Sequence, residues 1–504
     1  MRKFTTTICL LFIVGFVAAQ NTNKYSRIQP ESFLENTNHL FSSNISNQNK
    51  TFKKSGNAPT RATISGQQIG TAGNAFSTLQ AECNQLAVND SLNTVLFIHR
   101  NDKTQYGWTI GQYRYAISKD RGLNFNANIG VLNPGANNIA GGFNTRYPQA
   151  AIYNTIGNTD ADNAWLVYTG SWHNGGSDAS NTIWDGIVNG VMRLNGDTLT
   201  RTERNDSLNN KRVGISASLV NGLPGEFWAT DNEAGSSTND SMVIVYKGIW
   251  DTITNDIAWS VFAKLNPNWF TTGGTFKLTP LISFDPTGMK GWIGSCADYG
   301  DGAYRPYFYK TIDGGATWQG PIIVDLGQYS NISALLNPSG TLIPNMGFDL
   351  DLGVDANGDP HLVGALGSGE THFGNPYDDN NLFEITYSNA DAAWKAVRLD
   401  TLFAFRGNVG TTSAGNYSQD NRPQVSTTAD GSKVFFLWSD DKANADNAAP
   451  DLFGIGYDVV SKKYTRTFNF SGGDFTWDHS CTFPSVSPTC FKDASSSTIP
   501  VVIT

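Results

Sequence analysis

Four acidic residues have the chemistry to cleave a glycosidic bond, and they fall in polar segments that follow apolar runs of sequence. Hydrolysis of a glycan needs one carboxyl group that protonates the leaving oxygen and a second that acts as a base or nucleophile. Acidic side chains are also common in loops because they accept backbone N–H groups in turns, so their presence alone does not establish catalysis. The candidate catalytic carboxylates are Asp231, Glu233, Asp298 and Glu370.

A second set of residues has the chemistry of ligand binding rather than catalysis. It combines aromatic rings with His and Asp side chains in the same polar segments. Rings beside polar groups stack on sugars or hold peptides, although each ring could instead pack its loop onto the strands. The predicted ligand-binding residues are Trp172, His173, Tyr299, Asp301, His372, Tyr377, Trp438 and Asp440.

No metal site or cofactor is predicted, and calcium is the one cation considered. The segment Asp355–Asp359 has the D-x-N-x-D spacing of a calcium loop, but it lacks the glycine at the sixth position and the distal glutamate. Its Asn-Gly pair is typical of a tight hairpin, so we interpret the segment as a turn. No Cys/His cluster has the spacing of a zinc site.

The composition indicates an all-β protein. Of the 504 residues, 51 are glycine and 12 % are aromatic, which is typical of many short strands joined by tight turns. The net charge is -9, and charged residues make up only 16 % of the chain. An acidic chain poor in Lys and Arg is not expected to bind nucleic acid.

The first twenty residues predict export from the cytoplasm. Arg2 and Lys3 precede an apolar run from Ile8 to Val17, and Ala18-Ala19-Gln20 supplies small residues for cleavage, as in a secretory signal peptide. The apolar run is too short to span a bilayer, and no other stretch is apolar enough. We therefore expect a secreted or cell-surface protein without a transmembrane segment, in which residues 21–60 form a flexible lead-in.

Residues 61–504 repeat a four-strand unit. Each unit has a strand A, a tight turn, a more apolar strand B, a polar loop, and strands C and D. The units begin near residues 79, 146, 212, 276, 347, 421 and 482. Such units are typical of β-propeller blades, whereas a two-sheet sandwich would not repeat this order. The sequence predicts a β-propeller of four-stranded antiparallel blades, seven or alternatively six in number.

The last unit is incomplete. It contains an A strand at Phe483–Phe491 and a B strand at Ile499–Thr504. Either residues around Thr63–Thr71 supply an outer strand that closes the ring, or the natural C-terminus lies beyond the last residue. Cys481 and Cys490 could meet across this hairpin, because an oxidising compartment permits disulfides; the pairing of the cysteines otherwise stays open.

Two turns between strands C and D resemble the Asp-box of sialidase-type propellers, also called BNR repeats, with the pattern S/T-x-D-x-G-x-x-W. Residues 311–318 match this pattern, residues 118–125 match it with Phe in place of Trp, and Ser388–Trp394 is a shortened version without the Gly. In such a turn the carboxylate accepts backbone N–H groups, so we predict structural roles for Asp120 and Asp313. The resemblance implies an exported, bacterial-type member of this propeller family.

The family resemblance also implies a test for sialidase activity. Sialidases of this kind hold the substrate carboxylate with three arginines, for which the bidentate guanidinium is suited. The candidates here are Arg146, Arg305 and Arg422. The Arg-Ile-Pro motif of the family is absent, and Arg146-Tyr147-Pro148 is the closest sequence. The acidic loops would moreover repel an anionic sugar.

The B–C loops and D–A connections of a propeller open on the same face of the ring, which we call the B–C loop face. Polar loops that converge on one face form a concave site. We therefore expect a secreted or cell-surface propeller that binds an extracellular glycan or protein on this face. A sialidase-like or other glycoside hydrolase is the alternative, and a structural surface protein is the third hypothesis.

Overall fold

The structure is a computed structural model. It describes residues 66–73, 77–78, 81–137, 143–174, 183–206, 217–232, 242–268, 279–299, 304–336, 344–368, 381–403, 407–411, 415–419, 421–440, 450–472, 481 and 483–503. The predicted signal peptide and flexible lead-in, residues 1–60, lie outside these ranges.

Five sheets in the described residues have four antiparallel strands each, in which consecutive strands along the chain are neighbours. We number them sheets 1 to 5 in chain order. Alternation of apolar and polar residues, separated by Gly, Asn and Asp, favours such meanders. The strands are β1 (Leu86–Asn89), β2 (Thr94–Arg100), β3 (Tyr113–Ser118), β4 (Asn126–Gly130), β5 (Phe143–Tyr153), β6 (Trp165–Asn174), β7 (Ile183–Arg193), β8 (Arg204–Asp206), β9 (Ala217–Asn221), β10 (Glu226–Asn232), β11 (Val243–Asp251), β12 (Asp256–Leu265), β13 (Leu281–Phe284), β14 (Gly291–Asp298), β15 (Tyr304–Thr311), β16 (Gln319–Ile323), β17 (Pro344–Val354), β18 (Pro360–Ser368), β19 (Asn381–Ser388) and β20 (Ala393–Thr401).

The C-terminal part of the described chain contains a larger sheet, sheet 6, and several short strands. A separate hairpin precedes sheet 6, and β29 adds to it in parallel with β23. Two short helices, α1 (Lys103–Tyr106) and α2 (Ser330–Leu336), lie in connections. The remaining strands are β21 (Gly407–Thr411), β22 (Gly415–Gln419), β23 (Gln424–Thr428), β24 (Lys433–Asp440), β25 (Asp451–Asp458), β26 (Lys463–Tyr464), β27 (Phe468–Asn469), β28 (Ser485–Val486), β29 (Thr489–Lys492), β30 (Ser497–Thr498) and β31 (Val501–Val502).

The first strands of the sheets form a closed ring. β1 contacts β5, and the contacts continue through β9, β13, β17, β23 and β29, which contacts β1 again. This radial arrangement is that of a β-propeller, so the predicted fold class is confirmed. The ring has seven blades if the short C-terminal strands are counted as a blade, and six if they are not.

Sheets 1 to 6 begin close to the predicted unit boundaries. The predicted hairpin turns are present. Gly358 and Gly431 follow strands β17 and β23 and have φ angles of 77° and 65°, a conformation that favours glycine. Local turn chemistry therefore sets the repeat in these sheets.

The last predicted unit differs from the structure. The expected strand Phe483–Phe491 is divided into β28 and β29, and the expected strand Ile499–Thr504 contains only β31. β31 pairs with β28, and β30, which precedes the expected second strand, pairs with β29. Pro488 separates β28 from β29, and Pro500 separates β30 from β31. Proline cannot donate to a strand ladder, which explains the breaks. Residues 66–73 form no strand, and β29 closes the ring instead.

The considered disulfide between Cys481 and Cys490 is not formed. Cys490 is a buried, free thiol in β29. Burial raises the pKa of this thiol to about 12, so it stays protonated at neutral pH.

The two turns that resemble Asp-boxes have the same hydrogen bonds. In the turn after β15, Oδ1 of Asp313 accepts hydrogen bonds from Thr311 Oγ1 at 2.7 Å and from the backbone N–H of Thr317 at 2.9 Å. In the turn after β3, Asp120 accepts the equivalent bonds from Ser118 and Asn124. The carboxylates thus hold the turns, as predicted, and are not available for catalysis.

Apolar side chains pack between neighbouring sheets and hold the ring together. Trp318, at the end of the Asp-box turn in sheet 4, contacts Phe284 of its own sheet and Trp228 of sheet 3 at ring-centroid distances of 6.0 and 6.3 Å. Trp394 of sheet 5 packs in a related way on Phe308 of sheet 4 at 4.4 Å. The core therefore lies at the sheet interfaces. None of the helices in the described ranges has the length and apolar character that crossing a bilayer requires.

Candidate functional site

The segment that precedes β1 crosses the interior of the ring. The backbone oxygen of Glu82 accepts a hydrogen bond from Ser218 N of sheet 3 at 2.9 Å, and that of Asn84 accepts one from Ala150 N of sheet 2 at 2.8 Å. The amide of Asn84 also donates to Leu219 O at 3.2 Å. Because sheets 1 and 3 are not neighbours in the ring, these bonds place Glu82–Asn84 inside it.

Three charged residues from sheets 5 and 6 meet this segment. The guanidinium of Arg422, which precedes β23, interacts electrostatically with Asp349 and Asp351 of β17 and with Glu82 and Cys83. We call these five residues the central polar cluster. Residues far apart in the chain thus converge on the inside of the ring.

Arg422 joins the central polar cluster from the B–C loop face. A backbone hydrogen bond of 2.7 Å joins Ser439, near the end of strand β24, to Asn421, which precedes Arg422. Asn421 and Arg422 have φ angles of 66° and 44°. Left-handed backbone at residues other than glycine costs about 1–2 kcal/mol per residue and often marks a functional site. The chain therefore bends sharply where it brings Arg422 to the ring interior.

The members of the central polar cluster differ in exposure. Arg422, Cys83 and Asp349 are buried, with 1 %, 2 % and 6 % of their surface exposed. Glu82 and Asp351 are partly exposed. The surface that the cluster exposes therefore belongs to Glu82 and Asp351, although their carboxyl groups are themselves enclosed.

The enclosed position of the two carboxyl groups raises their pKa values. Burial, and then the negative charge of Asp349, raise the pKa of Glu82 to about 8. Burial raises the pKa of Asp351 to about 6, against hydrogen bonds from the backbone N–H groups of Val425 and Leu352 that lower it. At pH 7 Glu82 is therefore mostly protonated, and Asp351 is mostly ionised.

Asp351 also has a structural role that repeats around the ring. Its Oδ2 atom accepts a hydrogen bond of 2.7 Å from Val425 N in the next inner strand. Gln149 accepts the corresponding bond from Leu219 N at 2.9 Å, and Gln424 accepts one from Val486 N at 2.7 Å. An amide fulfils this role in two sheets, so the negative charge of Asp351 is not needed to join the strands.

The thiol of Cys83 is not activated. Burial, and then the charge of Glu82, raise its pKa well above the usual value, with a further contribution from Asp231. A cysteine nucleophile reacts as the thiolate, which these surroundings disfavour.

The three arginine candidates have different described contacts. Arg422 interacts with the carboxylates of the central polar cluster. The Nε atom of Arg305 lies 3.8 Å from Oδ1 of Asp325, in the connection after β16. Arg146 lies on β5, where its backbone oxygen accepts a hydrogen bond from the Tyr113 hydroxyl at 2.8 Å. These contacts give no support to a three-arginine clamp.

Three carboxylate candidates are buried at or near the ends of B strands. Asp231 and Asp298 belong to β10 and β14, and Asp440 ends β24. The Asp440 carboxylate accepts hydrogen bonds from Phe403 N at 3.1 and 3.2 Å. Oδ1 of Asp231 accepts one from Asn232 N at 2.7 Å. Asp231 and Asp440 thus support loop backbone, as turn chemistry predicts.

The aromatic candidates separate into two groups. Trp438 is completely buried and stacks on Phe453 at a centroid distance of 6.1 Å, so it packs the core of sheet 6 and does not face a ligand. Trp172 and Tyr299 are partly exposed near the ends of β6 and β14, and the Tyr299 hydroxyl donates to Pro267 O at 3.3 Å. These two rings stay candidates for contact with a ligand.

Several candidates lie outside the described residues. His173 belongs to β6 by its backbone, but its side chain is not described. The other candidates outside the described residues are Glu233, Asp301, Glu370, His372 and Tyr377.

The segment that resembles a calcium loop is a turn between β17 and β18. Oδ1 of Asp355 accepts hydrogen bonds from the backbone N–H groups of Asn357 and Asp359 at 2.8 and 2.9 Å. Within the ranges that the structure describes, no three His, Cys, Asp or Glu side chains group as metal ligands do.

Sequence reasoning identified Arg422 and Asp231 but not Glu82, Asp349 or Asp351. The missed residues lie in, or just before, the first strands of their sheets, and those strands line the ring interior. The available signal was the presence of acidic residues within an A strand, as in β17, or just before one, as at Glu82.

No protein family and no curated protein sequence matches this chain. Similar solved structures include an ulvan lyase of polysaccharide lyase family PL25, with 10 % identity and a TM-score of 0.46 over 85 % of this chain and 93 % of that chain. Polysaccharide lyase Uly1 has 12 % identity and a TM-score of 0.43 over 82 % and 86 % of the two chains. The periplasmic gluconolactonase PpgL of Pseudomonas aeruginosa has 12 % identity and a TM-score of 0.38 over 76 % and 84 %. Values this low transfer no activity or residue role to this protein.

Proposed function

We propose that this protein is a secreted or cell-surface propeller that binds an extracellular carbohydrate on its B–C loop face, in contact with the central polar cluster. The observation that carries the proposal is the convergence of Glu82, Asp351 and the buried Arg422 inside the ring, where Glu82 and Asp351 are partly exposed residues. Convergent polar groups in a concave position are the usual equipment of a site for a small polar ligand.

A sugar suits this arrangement better than a protein surface does. Sugar hydroxyls both donate and accept hydrogen bonds, as does the protonated carboxyl of Glu82, while Asp351 accepts. Trp172 and Tyr299 offer partly exposed rings for stacking on the apolar face of a sugar. A protein partner would need about 800 Å² of contact on each side, much more than two carboxyl groups and two rings provide.

Hydrolysis of a glycoside is the second candidate, because the two carboxyl groups differ in protonation. Glu82, with a pKa of about 8, has the proton that a general acid needs, and Asp351, with a pKa of about 6, can act as a base. Pairs of carboxyl groups whose surroundings separate their pKa values are typical of acid/base catalysis.

The test combines binding and turnover on the secreted full-length protein. A glycan array followed by calorimetry measures binding. A fluorogenic sialoside and a panel of neutral aryl glycosides, with and without calcium, measure hydrolysis. We expect saturable glycan binding that Glu82→Gln weakens by up to about tenfold, because the amide keeps a donor and an acceptor but not the geometry of the protonated carboxyl.

Asp160→Asn is the matched control, because Asp160 is an exposed carboxylate in the connection between β5 and β6, at the A–B end of its sheet. Release of product from any glycoside, lost in Glu82→Gln, would establish the hydrolase. Folded protein that neither binds nor cleaves any glycan would contradict both candidates and favour a protein ligand or the structural hypothesis.

A further inference from the structure

We propose that the central polar cluster selects sugars without negative charge, so that neutral or amine-bearing glycans bind and uronate, sialate or sulfated glycans do not. This inference rests on the proposed carbohydrate binding and specifies the chemical class of the ligand.

The selection follows from which charges a ligand can reach. The positive charge of the cluster is that of Arg422, which is 1 % exposed, and its Nε atom donates to the backbone oxygen of Pro484. Glu82 and Asp351 are, in contrast, partly exposed residues, so the negative charge of the cluster lies nearer to a ligand than its positive charge does. An anionic sugar would therefore approach carboxylates at short range and could not form the bidentate contact that arginine gives to carboxylates.

Backbone hydrogen bonds hold the Asp351 carboxylate as a hydrogen-bond acceptor. Its two oxygens accept hydrogen bonds from Val425 N at 2.7 Å and Leu352 N at 2.8 Å, which fix the carboxylate and favour its ionised form. Each oxygen keeps a second lone pair for a ligand. A sugar hydroxyl or ammonium group can donate to these lone pairs, whereas a ligand carboxylate or sulfate has no hydrogen to donate.

Glu82 shows that the cluster already has an excess of negative charge. After burial, the charge of Asp349 is the largest cause that raises the pKa of Glu82, and Arg422 offsets it only in part. A further anion at this position would meet the same unfavourable field that keeps the proton on Glu82. An ammonium group, in contrast, would reduce the excess of negative charge.

Arg146 is the described cation that could reverse this selection. It is partly exposed and lies on the inner strand of sheet 2. The charges that act most strongly on Glu82 are nevertheless those of Asp349, Arg422 and Asp351, so Arg146 does not dominate the field at the carboxyl pair. Comparison of an Arg146→Gln variant with the original protein separates the effect of Arg146 on sugar selectivity from that of the central polar cluster.

The experiment compares oligosaccharides of one length that differ in a single substituent. Galactose oligomers are compared with galacturonate oligomers, and chitosan oligomers with their N-sulfated forms, by calorimetry at pH 7 and two salt concentrations. We expect the uncharged and amine-bearing members to bind at least ten times more tightly than their acidic counterparts. Asp351→Asn should weaken binding of the uncharged oligomers and reduce this ratio several-fold, because it removes the negative charge; its single amide oxygen can keep the bond from Val425 N but not also the bond from Leu352 N.

Glu82→Gln and Asp160→Asn complete the set, and circular dichroism confirms that each variant is folded. The ratio should stay unchanged in Asp160→Asn, whose lost charge lies at the other end of a sheet. Equal or tighter binding of the acidic oligomers, abolished by Arg146→Gln, would overturn the inference while leaving carbohydrate binding intact. A preference that survives both Asp351→Asn and Glu82→Gln would also overturn it. Folded protein that binds none of the oligomers would refute the proposed function itself.

Discussion

His361 belongs to a buried charged network that joins sheet 5 to sheet 6. Its Nδ1 atom lies 2.5 Å from Oε1 of Glu384, and its Nε2 atom lies 3.6 Å from Oδ2 of Asp355. The second oxygen of Glu384 accepts a hydrogen bond of 2.6 Å from the hydroxyl of Tyr464 in sheet 6. One imidazole thus lies between two carboxylates and away from water, where its protonated form balances their charge.

The effect of this network on stability has a definite pH dependence. Burial by itself lowers the pKa of His361, but the hydrogen bonds and charges of Asp355 and Glu384 raise it to about 9. Because the folded pKa exceeds the unfolded value of about 6.5, the stabilisation is fully present below pH 6.5 and is lost as the pH rises through 9. At about 1.4 kcal/mol per pH unit, the difference corresponds to about 3 kcal/mol in the free energy of unfolding.

We expect His361→Gln to lower the free energy of unfolding by about 3–5 kcal/mol at pH 6, because it leaves two buried carboxylates without a cation. Urea unfolding of both proteins at pH 6, 7.5 and 9.5 measures the difference, which should become smaller as the pH rises. His99→Gln is the matched control. His99 is also buried, but burial lowers its pKa to about 4, so it is neutral in the folded protein over this range; because only the unfolded imidazole titrates, the cost of His99→Gln should rise by less than about 1 kcal/mol between pH 6 and 7.5 and should not shrink at pH 9.5. A difference between His361→Gln and the original protein that stays constant, or grows, from pH 6 to 9.5 would refute the reasoning.

Three further predictions concern the structural roles assigned above. Thr311→Val removes the hydroxyl that accepts a hydrogen bond from Gly315 N at 2.9 Å in a buried turn, and should cost about 1–2 kcal/mol in urea unfolding; unchanged stability would contradict the role of the turn. Trp438→Ala should cost about 3–5 kcal/mol, because the ring is fully buried, whereas normal stability with lost glycan binding would instead identify a ligand contact. Cys490, buried and with a pKa of about 12, should react with a thiol reagent only after unfolding, so rapid labelling of the native protein would show that β29 is not docked.

The parts of the fold that local chemistry determines were predictable from the sequence. Strand C at Tyr113–Ser118 and the turn at Asp313 follow from residues within a few positions of each other. The last unit was predicted wrongly because apolar residues were given more weight than Pro488 and Pro500, which interrupt the strands.

The candidate site was predictable only in part. Glu82 and Arg422 lie at opposite ends of the propeller sequence and meet only because the ring closes, which no local pattern reveals. Trp438 and Trp172 both follow apolar B-strand residues, yet the first is completely buried and the second is partly exposed. Which way such a ring faces depends on the neighbouring sheet, and that neighbour is distant in the chain.

The position of β29 between β1 and β23 sets the order in which the molecule can be completed. Phe491 of this strand is fully buried against Leu86 and Val95, residues that are synthesised much earlier. While the chain is being synthesised, the ring is therefore open, and sheets 1 and 6 each lack a neighbour until β29 has been made. Unpaired strand edges readily associate with other chains. The contacts of β29 with both β1 and β23 therefore remove the two strand edges that an incomplete ring exposes.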